Sequence, residues 1–229
     1  MHLSGTLARQ VQRGLDVTIA VACNGNLGGL PGAAREERAA VRRGEMERAC
    51  AMLGVRLEWL GAGDDDFMER MTAGYAATER GCRDLVRRVD PDLILTHPLD
   101  DYHHHHRAAA ELVLNASTGA SNPSAPGDAP ASRLVPYALH FAPMPPTPFA
   151  PAVYVDITAT FALKLEALRC HASQHQYLRD HHRTDIFEQV EAAARLHGAA
   201  CGVAYAEAFA LCQRFNRVPP IHKLAEFFA

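Results

Sequence analysis

Three short apolar runs constrain this chain more than any other feature. They are DVTIAVACNG (16–25), VRLEWLG (55–61) and PDLILTH (91–97), and a helical stretch follows each. Runs of this length, rich in β-branched residues and interleaved with helices, read as strands of a mostly parallel sheet with helices on its faces. In the second run Val55, Leu57 and Trp59 alternate with Arg56 and Glu58, so that strand has one polar face. In REERAAVRRGEMERACAMLG (35–54) the residues Ala39, Met46, Ala49, Cys50 and Leu53 recur at helical spacing, and Gly54 suits the C-cap. Further helices are expected over 69–89 and over RAAAELVLNA (107–116). The fold class is α/β.

The middle of the chain changes character. STGASNPSAPGDAPAS (117–132) and APMPPTPFAPA (142–152) are small, polar and proline-bearing, and they read as loops that form a rim or lid. RLVPYALHF (133–141) and AVYVDIT (152–158) read as strands. The last third reads as helical, through FALKLEALRCHASQHQYL (161–178) and DIFEQVEAAARLHGAACG (185–202). No internal repeat is present, and residues 1–229 are expected to form a single domain.

Composition excludes several classes. A formal charge of -3 with dispersed Lys and Arg gives no nucleic-acid footprint. No apolar run approaches the ~20 residues of a membrane span, and the N-terminus lacks the apolar core of a signal peptide. A cytoplasmic protein is the expectation, with no nucleic-acid or membrane partner and with a homo-oligomer left open. None of the 6 cysteines forms a C-x-x-C pair, so they read as small, reduced, buried side chains.

Function concentrates where strands end in α/β sheets. THPLDDYHHHH (96–106) lies at one such end and CNGNLGG (23–29) at another. His103 and His106 are three apart and share a face if a helix opens there. Two imidazoles on one face can address a metal or its water, and Asp100 or Asp101 can orient a ring.

These stretches, taken in order, resemble the PIG-L/LmbE-like N-acetylglucosaminyl deacetylases. GTLARQVQRGLDVTIAVACNG (5–25) is similar to the family's first helix and second strand. REERAAVRRGEMERACAMLGV is similar to its R-x-x-E helix, and PDLILTHPLDDYHHHHRAAAELV to its Asp-Tyr-His-Pro-Asp-His-Arg-Ala stretch. YVDIT, KLEALRCHASQ and YAEAF are similar to later landmarks. The resemblance implies a Rossmann-like, LmbE-like sheet and a zinc enzyme, with other divalent metals as candidates. Its substrate would be a small-molecule N-acetylated amino-sugar derivative. By the same resemblance His106 is a metal ligand. His103 stabilises the oxyanion or protonates the leaving amine. Arg42, paired at i+3 with Glu45, binds polar groups of the substrate. Asp156, Lys164, His171 and Glu207 fall on landmarks and are expected to make buried structural hydrogen bonds.

Two departures stand out. His104 and His105 occupy positions where the family carries Pro and Asp, which leaves Asp100 or Asp101 to orient the ligand. The family's His-Pro-Asp-Asp signature, source of its other ligands and its general base, does not occur in this sequence. Counting back from Gly5-Thr6-Leu7-Ala8 puts that signature, with the family's first strand, immediately before Met1. The resemblance therefore implies an N-terminally truncated chain with its first strand missing and unpaired strand edges in its sheet. The alternative is a catalytically inactive family remnant acting as a binding or structural protein.

Overall fold

The computed structural model describes residues 2–29, 32–144, 147–214 and 217–228. Met1, on which the truncation expectation turns, and Pro145 and Pro146 of the second proline-rich loop lie outside the described residues. The elements run α1 (Ser4–Gln12), β1 (Thr18–Cys23), α2 (Arg35–Leu53), β2 (Arg56–Ala62), α3 (Asp64–Arg70), α4 (Tyr75–Val89), β3 (Leu93–Thr96) and α5 (His104–Ala120). They continue through β4 (Tyr137–Phe141), β5 (Val153–Asp156), a 3-10 turn (Thr158–Thr160), α6 (Phe161–Arg169), α7 (Ala172–His182), α8 (Ile186–Cys201), β6 (Ala206–Leu211) and α9 (Ile221–Phe228). The fold is mixed α/β, as expected. No described helix is long and apolar enough to cross a membrane.

The strands form two sheets among the described residues: β1 with β2, and the order β3-β4-β6-β5. β1 runs parallel to β2, and β3 parallel to β4, while β4 and β6 are antiparallel. Among the described residues β1 and β3 each have one strand neighbour. Their residues are correspondingly half-covered rather than buried, apart from Thr96 and the exposed Ala20. An edge of this kind leaves backbone N–H and C=O groups unpaired.

The chain divides into two compact units. The first comprises Met1–Asp65, Met144–Pro146 and Tyr154–Ala208. Its core is Ala8, Ala49, Cys50, Leu53, Val55 and Ala167, with Leu7, Ile19, Met46 and Leu163 against them. Most of these residues come from α1, α2 and α6, those of α2 at the helical spacing the sequence announces, while Ile19 lies in β1 and Val55 just after α2. Gly54 ends α2 at φ 71°, the left-handed conformation in which its amide reaches the carbonyl of Ala51. The start of α1 is held by Glu207, whose carboxylate accepts from the amides of Gly5 (3.0 Å) and Thr6 (2.7 Å) and from Lys164 Nζ (2.6 Å). A side-chain Cβ at Gly5 would meet Ile157 at 2.8 Å, so only glycine lets α1 approach this closely.

The second unit comprises Asp66–Pro143, Thr147–Val153 and Phe209–Ala229. α5 packs on α4 and buries Ala108, Ala110, Leu112, Leu114 and Ala116. Leu114, Ala138 and Cys212 gather with Leu99 and Val135 into an apolar cluster.

Several boundaries differ from the sequence reading. The helix expected over 69–89 breaks at 71–74, where the Thr72 hydroxyl takes the carbonyls of Met68 (3.2 Å) and Glu69 (3.0 Å) in competition with the helical ladder. The helix expected over 161–178 breaks at Cys170–His171. There Glu45 of α2 accepts from the Ser173 amide (2.7 Å) and hydroxyl (2.8 Å), which gives α7 a tertiary N-cap. α5 continues through Ser117–Ala120, residues that read as loop. β6 and α9 lie in the third of the chain that reads as helical or unassigned. None of the cysteines forms a disulfide, and Cys50, Cys82 and Cys212 are buried as expected, but Cys23 and Cys170 are half-buried and Cys201 is exposed.

The loop 121–132 is not free to act as a lid. Arg87 of α4 is buried and donates to the carbonyls of Ala120 (3.1 Å), Asn122 (2.8 Å), Ala125 (3.0 Å) and Ala129 (3.1 Å). Asp84 Oδ1 accepts from the amides of Asp128 (2.9 Å) and Ala129 (3.4 Å). Lifting the loop strips a buried guanidinium of its acceptors, a cost that keeps it closed.

Candidate active site

The four histidines open α5 at the carboxyl end of β3, and they take four different environments. His103 is the N-cap residue, in extended conformation (φ -96°, ψ 124°), and its Nδ1 accepts from the amide of His105 at 3.3 Å. His104 is exposed and stacks on His103, their ring centroids 4.9 Å apart. His105 lies edge-on to Phe67 at 5.9 Å. His106 turns back towards the strand end, with its centroid 4.9 Å from that of His103. The i,i+3 relation thus brings His103 and His106 together.

Asp101 organises this cluster. It is 2% exposed, and its Oδ1 accepts from the amide of His103 (2.9 Å) and sits 2.9 Å from His106 Nδ1. Arg107 donates to the Asp101 carbonyl at 2.6 Å and fixes the turn. A carboxylate on Nδ1 places the proton there and leaves the lone pair on Nε2. Asp100 is exposed and makes no hydrogen bond among the described residues, so of the two acids Asp101 is the one against the ring.

His97, the first residue past β3, completes the group and was not singled out from the sequence. Its ring stacks on His106 with centroids 4.0 Å apart and planes 9° apart. Its Nδ1 is 4.0 Å from Asp101 Oδ2. Phe141 packs against it at 4.6 Å, and the His97 carbonyl accepts from His140 Nδ1 at 2.7 Å. The position was findable: a ring directly after a buried parallel strand sits where such sheets bind ligands.

Burial sets the charge state. Desolvation, reinforced by the neighbouring His106, pushes the His97 pKa down to about 3. The same cause, with His106, His105 and His104 nearby, lowers His103. Neutral imidazoles keep lone pairs for a metal. Ligand atoms of His97, Asp101 and His106 lie within 4.8 Å of one another, a group that could hold an ion.

Arg42 belongs to the first unit. It is half-buried on the same helical stripe as Glu45 and Ala49, and its guanidinium donates to the carbonyl of Gly28. Desolvation lowers its pKa, against the opposing pull of Glu45 and Asp64. A freely solvated helix charge would show none of this. Of the other landmark residues, Lys164 and Glu207 form a buried ion pair, and Asp156 is exposed and caps Thr158. His171 has a buried Nε2 with no hydrogen-bond partner among the described residues.

Comparison with known proteins identifies the chain's family. Residues 1–117 match the family model described as "PIG-L: GlcNAc-PI de-N-acetylase". The chain belongs to the PIG-L family. Membership makes it an N-deacetylase, an enzyme of amide carbon–nitrogen bonds. No curated protein matches the chain. Among solved structures it is similar to the N,N'-diacetylchitobiose deacetylase of Pyrococcus horikoshii, at 22% identity and TM-score 0.75 over 97% of this chain and 83% of that one. It is similar to the conserved protein TT1542 of Thermus thermophilus, at 25% identity and TM-score 0.77 over 95% and 91%. It is also similar to GalB, the 4-carboxy-2-hydroxymuconate hydratase of Pseudomonas putida, at 22% identity and TM-score 0.72 over 95% and 91%. The fold therefore serves more than one reaction. The activity of this PIG-L member rests on its family and its site, not on its shape.

Proposed function

We propose that this protein hydrolyses the acetamide of a small-molecule N-acetylglucosamine derivative, with zinc held at His106. The observation that carries this reading is the hydrogen-bond distance of 2.9 Å between Asp101 Oδ1 and His106 Nδ1. It leaves the lone pair of His106 on Nε2, the arrangement used by histidines that bind zinc. The donor set of imidazole and carboxylate suits that metal. Other divalent ions compete for the same atoms.

Zinc bound there would supply Lewis acidity towards the amide carbonyl and the attacking water. Water adds to the carbonyl carbon, the C–N bond breaks, and acetate and a free amine leave. His103 has a defined part in this. Its Nδ1 accepts the His105 amide, so its proton sits on Nε2, and desolvation keeps the ring neutral. Nε2–H therefore donates a hydrogen bond to the oxygen on which charge develops. That favours oxyanion stabilisation over transfer of a proton from an imidazolium. Arg42, half-buried and without an ion pair among the described residues, is suited to polar groups of the sugar.

The test is acetate release from N-acetylglucosamine glycosides, with N-acetyl amino acids and an unsaturated dicarboxylate offered in parallel. Zinc-dependent acetate from the amino sugar alone is the expected result. Hydration of the unsaturated acid without acetate release would overturn the reading.

A further inference from the structure

The metal reading leaves His97 without a role, although it lies deeper in the group than His103. Proximity alone would make it a ligand beside His106. The ring geometry argues otherwise. The two rings are stacked at 4.0 Å with planes 9° apart. The lone pairs of an imidazole lie in its ring plane, so those of two parallel rings run side by side and do not converge. A shared zinc would need both nitrogens about 2.0–2.1 Å from one point. His97 Nδ1 is also 4.0 Å from Asp101 Oδ2, beyond a hydrogen bond.

What His97 does have is a rigid seat. Phe141 of β4 lies against its ring at 4.6 Å with planes 61° apart. His140, paired with Thr96 in the parallel register, holds its carbonyl at 2.7 Å. The ring is thus wedged between the sheet and the face of His106. Asp101 fixes His106 at Nδ1, but one hydrogen bond leaves the ring free to swing about that contact. A flat neighbour across its whole face removes that freedom.

We propose that His97 is a positioning residue for the deacetylase. It is a spacer that transmits the rigidity of β4 to the His106 ring and so aims Nε2. The proposal rests on His106 being the metal-binding residue, but its first readout does not need metal.

The experiment compares the wild-type chain with His97→Ala, His97→Phe and His106→Ala. Nitrogen-15 spectra of labelled imidazoles, taken without metal, report the His106 tautomer and the exchange of its Nδ1 proton. Zinc affinity comes from competition titration, and kcat and KM from acetate release. In wild type His106 holds a single Nδ1–H tautomer. His97→Ala makes that proton exchange faster, weakens zinc about tenfold and lowers kcat more than it raises KM. His97→Phe keeps a flat ring without a nitrogen and restores zinc affinity to within about threefold of wild type. If His97→Phe loses zinc as fully as His106→Ala, His97 is a ligand and the proposal fails. If the His106 spectrum is the same in wild type and His97→Ala, the stack positions nothing and the proposal fails. Should no variant bind zinc while the spectra change as described, the metal reading falls and the positioning role stands.

Discussion

Glu207 and Asp101 are both buried carboxylates, one in each compact unit, and they are satisfied in opposite ways. Glu207 is held by the ammonium of Lys164 and by two amides at the start of α1. Its charge is answered by one ammonium and two backbone amides, none of which has a lone pair to offer a metal. Asp101 faces His97 and His106, and its one amide partner is His103, itself the cap of α5. Its charge is met on the side-chain side by imidazole rings, which can also bind a metal. A buried acid closed by a lysine and backbone amides is architecture. One closed by imidazoles is poised for chemistry, because its partners still have a lone pair to give.

The sharpest way to break this contrast is to remove each acid. Glu207→Ala leaves Lys164 buried without a counter-charge, which costs about 3–5 kcal/mol and lowers Tm by roughly 10 °C. Asp101→Asn keeps the shape and the oxygen that accepts the His103 amide. It should move Tm by only about 2 °C while weakening zinc about 10–100-fold. Thermal unfolding and zinc titration on both variants decide it, and equal losses of stability would dissolve the distinction.

A second test uses a permanent cation in the unit that holds the site. Arg87→Ala removes four carbonyl contacts and is expected to cost about 2–3 kcal/mol and to expose residues 121–132 to proteolysis. Zinc affinity should stay at the wild-type value. A parallel loss of zinc would show that the loop staple and the histidine group are one device.

These contrasts also show what the sequence could and could not carry. The apolar runs gave the strands, and Gly54 closed α2 as its position implied, because both signals are local. The breaks at 71–74 and at Cys170–His171 were hidden. One depends on a threonine hydroxyl turning back onto its own helix, and the other on Glu45 arriving from far along the chain. α9 follows Pro219 and Pro220 and α3 opens on Asp64, Asp65 and Asp66, and both are start signals that were legible but passed over. In the site, spacing brought His103 and His106 together. The choice of Asp101 over its neighbour Asp100 turns on burial, which no spacing encodes. His97 was missed because its partners, Phe141 and His140, belong to the next strand.

The smallest expected effect concerns a half-buried histidine whose Nε2 has no hydrogen-bond partner among the described residues. Burial, then His175 and Arg42, push the His171 pKa from 6.5 to about 4. The folded form therefore takes up fewer protons than the unfolded chain between these values. Stability from this residue is complete above about pH 6.5 and drains away as pH falls towards 4. His171→Gln should flatten the fall in Tm between pH 7 and 5, and an unchanged slope would contradict the assignment.

The central claim is that His106 holds the metal and His103 serves the reaction. Bound zinc and acetate release from an N-acetylglucosamine glycoside, measured together in His106→Ala and His103→Ala, test it most directly. The account predicts that His106→Ala loses zinc and turnover alike. His103→Ala should keep its zinc and lose about 10²–10³-fold in kcat, as expected for removal of one oxyanion donor. Turnover that survives in His106→Ala would contradict the claim.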